Sequence, residues 1–169
     1  YGSLMQTIAG LHYNFSFSNK FFDILLTLEE NKNEKELKNQ IYLHIARNFK
    51  RFGWLYFFLY GASPAVCDSF VEKGKHDLES LPGGGLYKPN STSLRMGDLG
   101  YISKAQDDLN ISYNTLEDYC LDLENALTTP YKAYQDIGEF VDDKRVQLNT
   151  SVIQIENEYY STIRPKRVC

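Results

Sequence analysis

Two kinds of periodicity divide this chain, and their order restricts its fold more than any other feature. Residues 6–17 and 146–160 alternate in steps of two, as extended strands do. The stretches between them repeat apolar side chains every three or four residues, as helices do. Strands at both ends with several helices between them predict an α+β fold. A single segment of 169 residues, 43% hydrophobic, is long enough to bury one substantial core, and residues 1–169 are read as one segment.

The opening strand has unlike faces. Leu11, Tyr13, Phe15 and Phe17 make one side apolar, while Gln6, Ile8, Gly10, His12, Asn14 and Ser16 share the other. A solvated strand face usually carries Lys, Glu and Thr. This one carries an imidazole, two amides and a glycine that permits close approach, a set suited to holding a ligand. An ordinary half-buried strand with a satisfied histidine is the competing reading. At the other end, Glu156 and Glu158 share a face with Tyr160, and they suit either a divalent cation or an acidic strand edge.

Between the ends, residues 20–30 predict a short amphipathic helix capped by Ser18 or Asn19. Asn33 to Glu36 resembles a capping box, and Leu37, Ile41, Ile45 and Phe49 mark a longer helix running past Arg51. Residues 54–60 are apolar on every side between Gly53 and Gly61, which predicts a core aromatic cluster. The polar stretch 72–90 with its triple glycine at 83–85 lacks the Gly-Lys-Ser/Thr of a phosphate loop and is read as a mobile surface loop. Arg95 and Asp98 form either a local ion pair on a turn or an arginine fork aimed at a carboxylate or phosphate. Asn114 to Glu117 gives another capping-box pattern ahead of a helix with the stripe Leu116, Tyr119, Leu123 and Leu127, and Thr129-Pro130 starts another that ends near Gly138.

A net charge of −4 argues against general nucleic-acid binding. The most apolar run falls far short of the roughly 18 to 20 residues a membrane helix needs. Three widely spaced cysteines without a C-x-x-C pair suit a reducing cytoplasm. No nucleophile elbow, metalloprotease motif or dinucleotide fingerprint is present, so chemistry by positioning of charged substrates is favoured over a covalent side-chain intermediate. The abrupt ends at Tyr1 and Cys169 suggest an excerpt of a longer protein.

Five segments in order, residues 4–16, 51–54, 60–67, 92–101 and 154–167, closely resemble the proteobacterial glutamate-cysteine ligase family. The resemblance implies a catalytic domain like that of glutamine synthetase, with an antiparallel sheet curved around the site and helices outside. It implies ATP and Mg2+ as cofactors and glutamate, cysteine and ATP as small-molecule partners, with a γ-glutamyl phosphate formed on the way to the dipeptide. Arg95 and His12 then take catalytic positions, His12 also facing the metal. Ile8, Tyr101 and Tyr160 correspond to walls of the cysteine pocket, and Gln6, Gly10 and Asn14 stand on the same substrate-facing strand. Arg164 and Arg167 match a family motif, and their basic stretch suits either contact with phosphates or a solvated turn. Most metal-binding carboxylates of the family lie outside these residues, so the excerpt is expected to be inactive alone. A non-catalytic helical interaction module, or a ligase of the same fold using another amine, are the alternatives.

Overall fold

The computed structural model describes residues 12–28, 33–71, 76–94 and 103–166, arranged as two compact units. The first comprises Tyr1–His12 and Phe52–Lys104, the second Tyr13–Arg51 and Ala105–Cys169. The elements are helices mixed with short antiparallel strands, so the chain is α+β.

In the second unit, α1 (Asn19–Leu28) begins where the Ser18 hydroxyl accepts from the Phe21 N–H at 3.4 Å, and α2 (Glu34–Phe52) where Asn33 Oδ1 accepts from the Glu36 N–H at 2.9 Å. Both caps satisfy donors that a helix start leaves open. In α4 (Leu116–Thr128) Thr115 Oγ1 plays the same part for Asp118 N–H at 3.0 Å. The predicted stripe of α4 is the one buried: Tyr119 lies inside, with Leu116, Leu123 and Leu127 packed around it. The core of this unit joins α4 to Leu43 and Ala46 of α2 and to Ile111, Tyr113, Ile153 and Tyr159.

Helix α2 carries two apolar faces rather than one. Leu43 and Ala46 enter the core, whereas the predicted Leu37, Ile41 and Ile45 line an open groove of about 520 Å³ with Phe17, Phe21 and Leu25. Phe17 stacks on Phe21 with centroids 4.2 Å apart.

The predicted strands at 6–17 and 146–160 are not strands where they are described. Residues 12–18 pair with no ladder; the Phe17 N–H donates instead to the Tyr42 hydroxyl, and Tyr13 and Phe15 are exposed. In 146–160 side chains take the backbone donors a ladder would use: Gln154 Oε1 accepts from Leu148 N–H and Asn149 Oδ1 from Ser151 N–H. The only pairing there among described residues is an isolated bridge from Ser151 to Pro130, and a 3-10 turn at Glu156–Glu158 ends the alternation. Two-residue periodicity reports an extended backbone, but a strand exists only where a neighbour supplies hydrogen bonds.

Thr129 closes α4 rather than opening the next helix, which starts two residues later as α5 (Lys132–Ile137). It ends, as predicted, at Gly138 with φ of 78°. A tight hairpin follows, β4 (Phe140–Val141) and β5 (Lys144–Arg145), turned by Asp142 and Asp143, both at positive φ. Positive φ at both central residues is the primed turn that matches strand twist.

In the first unit, α3 (Trp54–Tyr60) contradicts its predicted place as a core aromatic cluster. No residue of it is buried, and Trp54, Phe58 and Tyr60 are 64%, 69% and 78% exposed. An all-round apolar helix requires cover, but the pattern does not say which part of a polypeptide provides it. Gly61 then ends the helix where a Cβ would fall 2.5 Å from the Phe57 carbonyl oxygen and 2.6 Å from that of Thr92. The expected mobile loop contains a hairpin instead. Its strands β2 (Glu79–Ser80) and β3 (Leu86–Tyr87) join β1 (Ala65–Val66) in the order β1-β3-β2. Its tip is Gly83 to Gly85, with φ near +100° at each (96°, 105° and 97°), a conformation side chains rarely adopt.

Candidate active site

The best-defined part of the predicted site is the turn that carries Tyr160. The Gln106 side chain, itself buried, reaches this turn with both ends of its amide. Nε2 donates to the Glu158 carbonyl at 3.0 Å, and Oε1 accepts from the Tyr160 N–H at 2.9 Å. Arg164 donates to the carbonyl oxygens of Asn157 and Tyr159 at 3.0 and 3.1 Å. Between these clamps the Tyr159 ring is buried, and its hydroxyl lies 3.3 Å from that of Tyr113. Tyr113 donates to the Ile163 carbonyl at 3.1 Å and sits 3.3 Å from Ser161 Oγ. Tyr160, next along the chain, keeps 38% of its surface exposed.

Arg164 therefore has a structural use that its sequence motif did not reveal: its guanidinium braces the turn. Glu158 is likewise occupied, since its carboxylate accepts from the Gln154 N–H. His12 and Asn14 are exposed. Asn14 and Tyr160 share the second unit, while His12 belongs to the first. Gln6, Ile8, Gly10, Arg95, Tyr101 and Arg167 lie outside the described residues.

Burial raises the Tyr113 hydroxyl pKa, the Ser161 hydrogen bond offsetting part of this and Tyr159 adding to it. Tyr119 is pushed up to about 12, chiefly by burial and then by Tyr159, against the Arg164 guanidinium. Both shifts favour the neutral phenol. A raised folded-state pKa contributes stability that is complete below the unfolded value near 10 and is lost as pH rises through the folded value. Urea unfolding followed from pH about 8 to about 11 is thus expected to show stability falling above pH about 10, with a shallower fall in Tyr113→Phe. An equal slope in that variant would exclude Tyr113 as a source.

Mg2+ prefers oxygen ligands, and His12 offers nitrogen. Among the described residues no group of three or more His, Cys, Asp or Glu side chains is arranged to hold a metal ion. The described residues thus do not fit a magnesium site by themselves. Cys67 and Cys120 are free and exposed, and among the described residues no helix is long and apolar enough to cross a membrane.

The glutamate-cysteine ligase family model matches residues 1–169. The chain belongs to the glutamate-cysteine ligase family. It is 48% identical to the glutamate–cysteine ligase of Aliivibrio salmonicida and 48% identical to that of Pseudomonas putida strain KT2440, in each case over 99% of this chain and 32% of the relative. It is also similar to a crystal structure of glutamate–cysteine ligase from Francisella tularensis in complex with AMP. That similarity has a TM-score of 0.81 and 39% identity, and it covers 100% of this chain and 33% of that one. The chain thus spans about a third of the length of the relatives it matches.

Sequence reasoning missed Gln106 and Tyr113. Each lies in an aperiodic stretch, where nothing in the local pattern distinguishes a buried polar group from an exposed one. The only available signal was Tyr159 beside Tyr160, one of which had to face inward if the segment was extended.

Proposed function

We propose that this chain forms one flank of the active site of an ATP-dependent glutamate–cysteine ligase working in the cytoplasm. The γ-phosphoryl group of ATP passes to the side-chain carboxylate of glutamate, giving γ-glutamyl phosphate and ADP. The cysteine amine then attacks the acyl carbon and phosphate leaves, forming the first intermediate of glutathione synthesis. In this reading Arg95 offsets charge on the carboxylate or the transferring phosphoryl group, and His12 faces the phosphates. Ile8, Tyr101 and Tyr160 enclose the small thiol side chain of cysteine, with Gln6, Gly10 and Asn14 on the neighbouring substrate face.

What carries this reading is the family match along all 169 residues, joined to 48% identity with relatives named for the activity. The AMP held by the Francisella relative supports a nucleotide site. The described residues do not fit a magnesium site by themselves, so no step is assigned to the metal through this segment. In the full-length protein, phosphate release from ATP is expected only with glutamate and Mg2+ present, and dipeptide only when cysteine is added. Phosphate release that ignores glutamate would refute the assignment.

A further inference from the structure

We propose that Gln106 is a positioning residue for the cysteine subsite, holding the main chain at Tyr159 so that Tyr160 meets the substrate thiol. The inference rests on the reading of Tyr160 as a wall of that pocket. The two backbone groups Gln106 engages, the Glu158 carbonyl and the Tyr160 N–H, bracket a single residue. A residue on a parallel neighbouring strand would form that same pair of bonds. One side-chain amide thus stands in for a strand neighbour on a segment that is otherwise without a ladder.

The remaining freedom of this stretch is removed from other directions. Arg164 holds the Tyr159 carbonyl, and Tyr113 meets the Tyr159 hydroxyl from within the core. The Tyr160 N–H has Gln106 as its partner, so the amide directly fixes the residue whose ring is left partly exposed. Core filling alone does not call for glutamine at this position. A buried amide loses hydration and is tolerated only when its hydrogen bonds are made, and an apolar side chain of like volume would fill the space without that cost. The use of a polar group here points to orientation of the backbone. Displacing a substrate-contacting ring by about 1 Å is enough to change binding and rate.

The test uses the full-length ligase with Gln106→Met, which keeps side-chain length and removes both hydrogen bonds. The KM for cysteine is expected to rise about tenfold, with kcat at saturating cysteine and the KM values for glutamate and ATP within about twofold of the parent. The ratio of kcat/KM for cysteine over 2-aminobutyrate, which carries a methyl in place of the thiol, is expected to fall. That ratio does not depend on how much of the variant folds. Gln106→Glu retains the acceptor for Tyr160 but places a carboxylate against the Glu158 carbonyl. Its cysteine KM, relative to the parent at each pH, is expected to recover as pH falls from about 8.5 to about 6 and the buried carboxyl gains a proton to donate.

An unchanged cysteine KM and selectivity in Gln106→Met would overturn the inference. So would a parallel rise in the KM of all three substrates, which describes an ordinary core residue. Tyr160→Leu separates the two levels. If it raises the cysteine KM while Gln106→Met does not, positioning by Gln106 fails alone. If Tyr160→Leu leaves cysteine kinetics untouched, the pocket reading itself fails.

Discussion

Arg95→Ala in the full-length ligase is expected to lower dipeptide formation about a thousandfold while leaving thermal unfolding unchanged. The proposed reaction brings a glutamate carboxylate against the terminal phosphate of ATP, two groups of like charge that repel until cations offset them. A guanidinium presents parallel N–H donors to such oxygens and retains its charge at any working pH. The fork strengthens its hold as charge shifts onto the transferring group, so its removal is felt mainly in kcat. Arg95→Lys keeps the charge but not the two-pronged geometry, and partial recovery of about tenfold over the alanine variant is expected. The assay is glutamate-dependent phosphate release alongside dipeptide yield. Turnover of Arg95→Ala at the parental rate would mean that Arg95 only pairs locally with Asp98.

What could be read in advance followed from local physics. Asn33 announced its helix because a side-chain oxygen followed by the right donors is a short-range event, whereas the same pattern starting at Asn114 missed by one residue, since Thr115 makes the cap of α4. The stripe of α4 was legible for a similar reason: four apolar residues at helical spacing define one face, and that face meets the core. Readings that depended on distant partners fared differently. Residues 146–160 alternate like a strand, yet they are stitched by Gln154, Asn149 and Gln106 because no adjacent strand lies alongside among the described residues. Trp54–Tyr60 shows the same limit, since an all-apolar helix signals a need for cover without naming the cover. The triple glycine was mistaken for slack because composition cannot separate a floppy loop from a hairpin tip that requires φ near +100°.

The candidate site divides along the same line. Tyr160 was assigned to the site through resemblance, while the side chain that fixes its backbone was invisible, because Gln106 lies more than 50 residues away in sequence (54 apart) and in no recognisable pattern. Arg164 belonged to a basic stretch whose role the sequence left open, and its guanidinium braces carbonyls. Residue type announced a capacity for hydrogen bonding in both cases; only the fold determined its direction.

Ile153→Ala is expected to be strongly disruptive to the second unit. Ile153 is fully buried, at 0% exposure, and packs in the cluster that joins α2 and α4 to Ile111, Tyr113 and Tyr159. It also anchors a short chain crossing: its N–H donates to the Ala126 carbonyl at 3.4 Å, Val152 donates to Thr129, and Tyr131 to Thr150. Truncation leaves a cavity bounded by a helix bonded at its end to the same strand-like stretch, so the walls cannot easily collapse. Losing a buried isoleucine to alanine costs about 3 kcal/mol in such settings, which corresponds to roughly a hundredfold faster hydrogen exchange for amides that open with the unit. Exchange in α4 of the full-length protein is therefore expected to quicken by about that factor, with a smaller change from Ile153→Val. Because Tyr159 and Tyr113 share the cavity, their hydroxyl contact loosens and Tyr160 loses part of its support. A weakened affinity for cysteine is expected to accompany the faster exchange in Ile153→Ala. Protection in α4 that survives the truncation unaltered would show that this cluster does not hold the unit together.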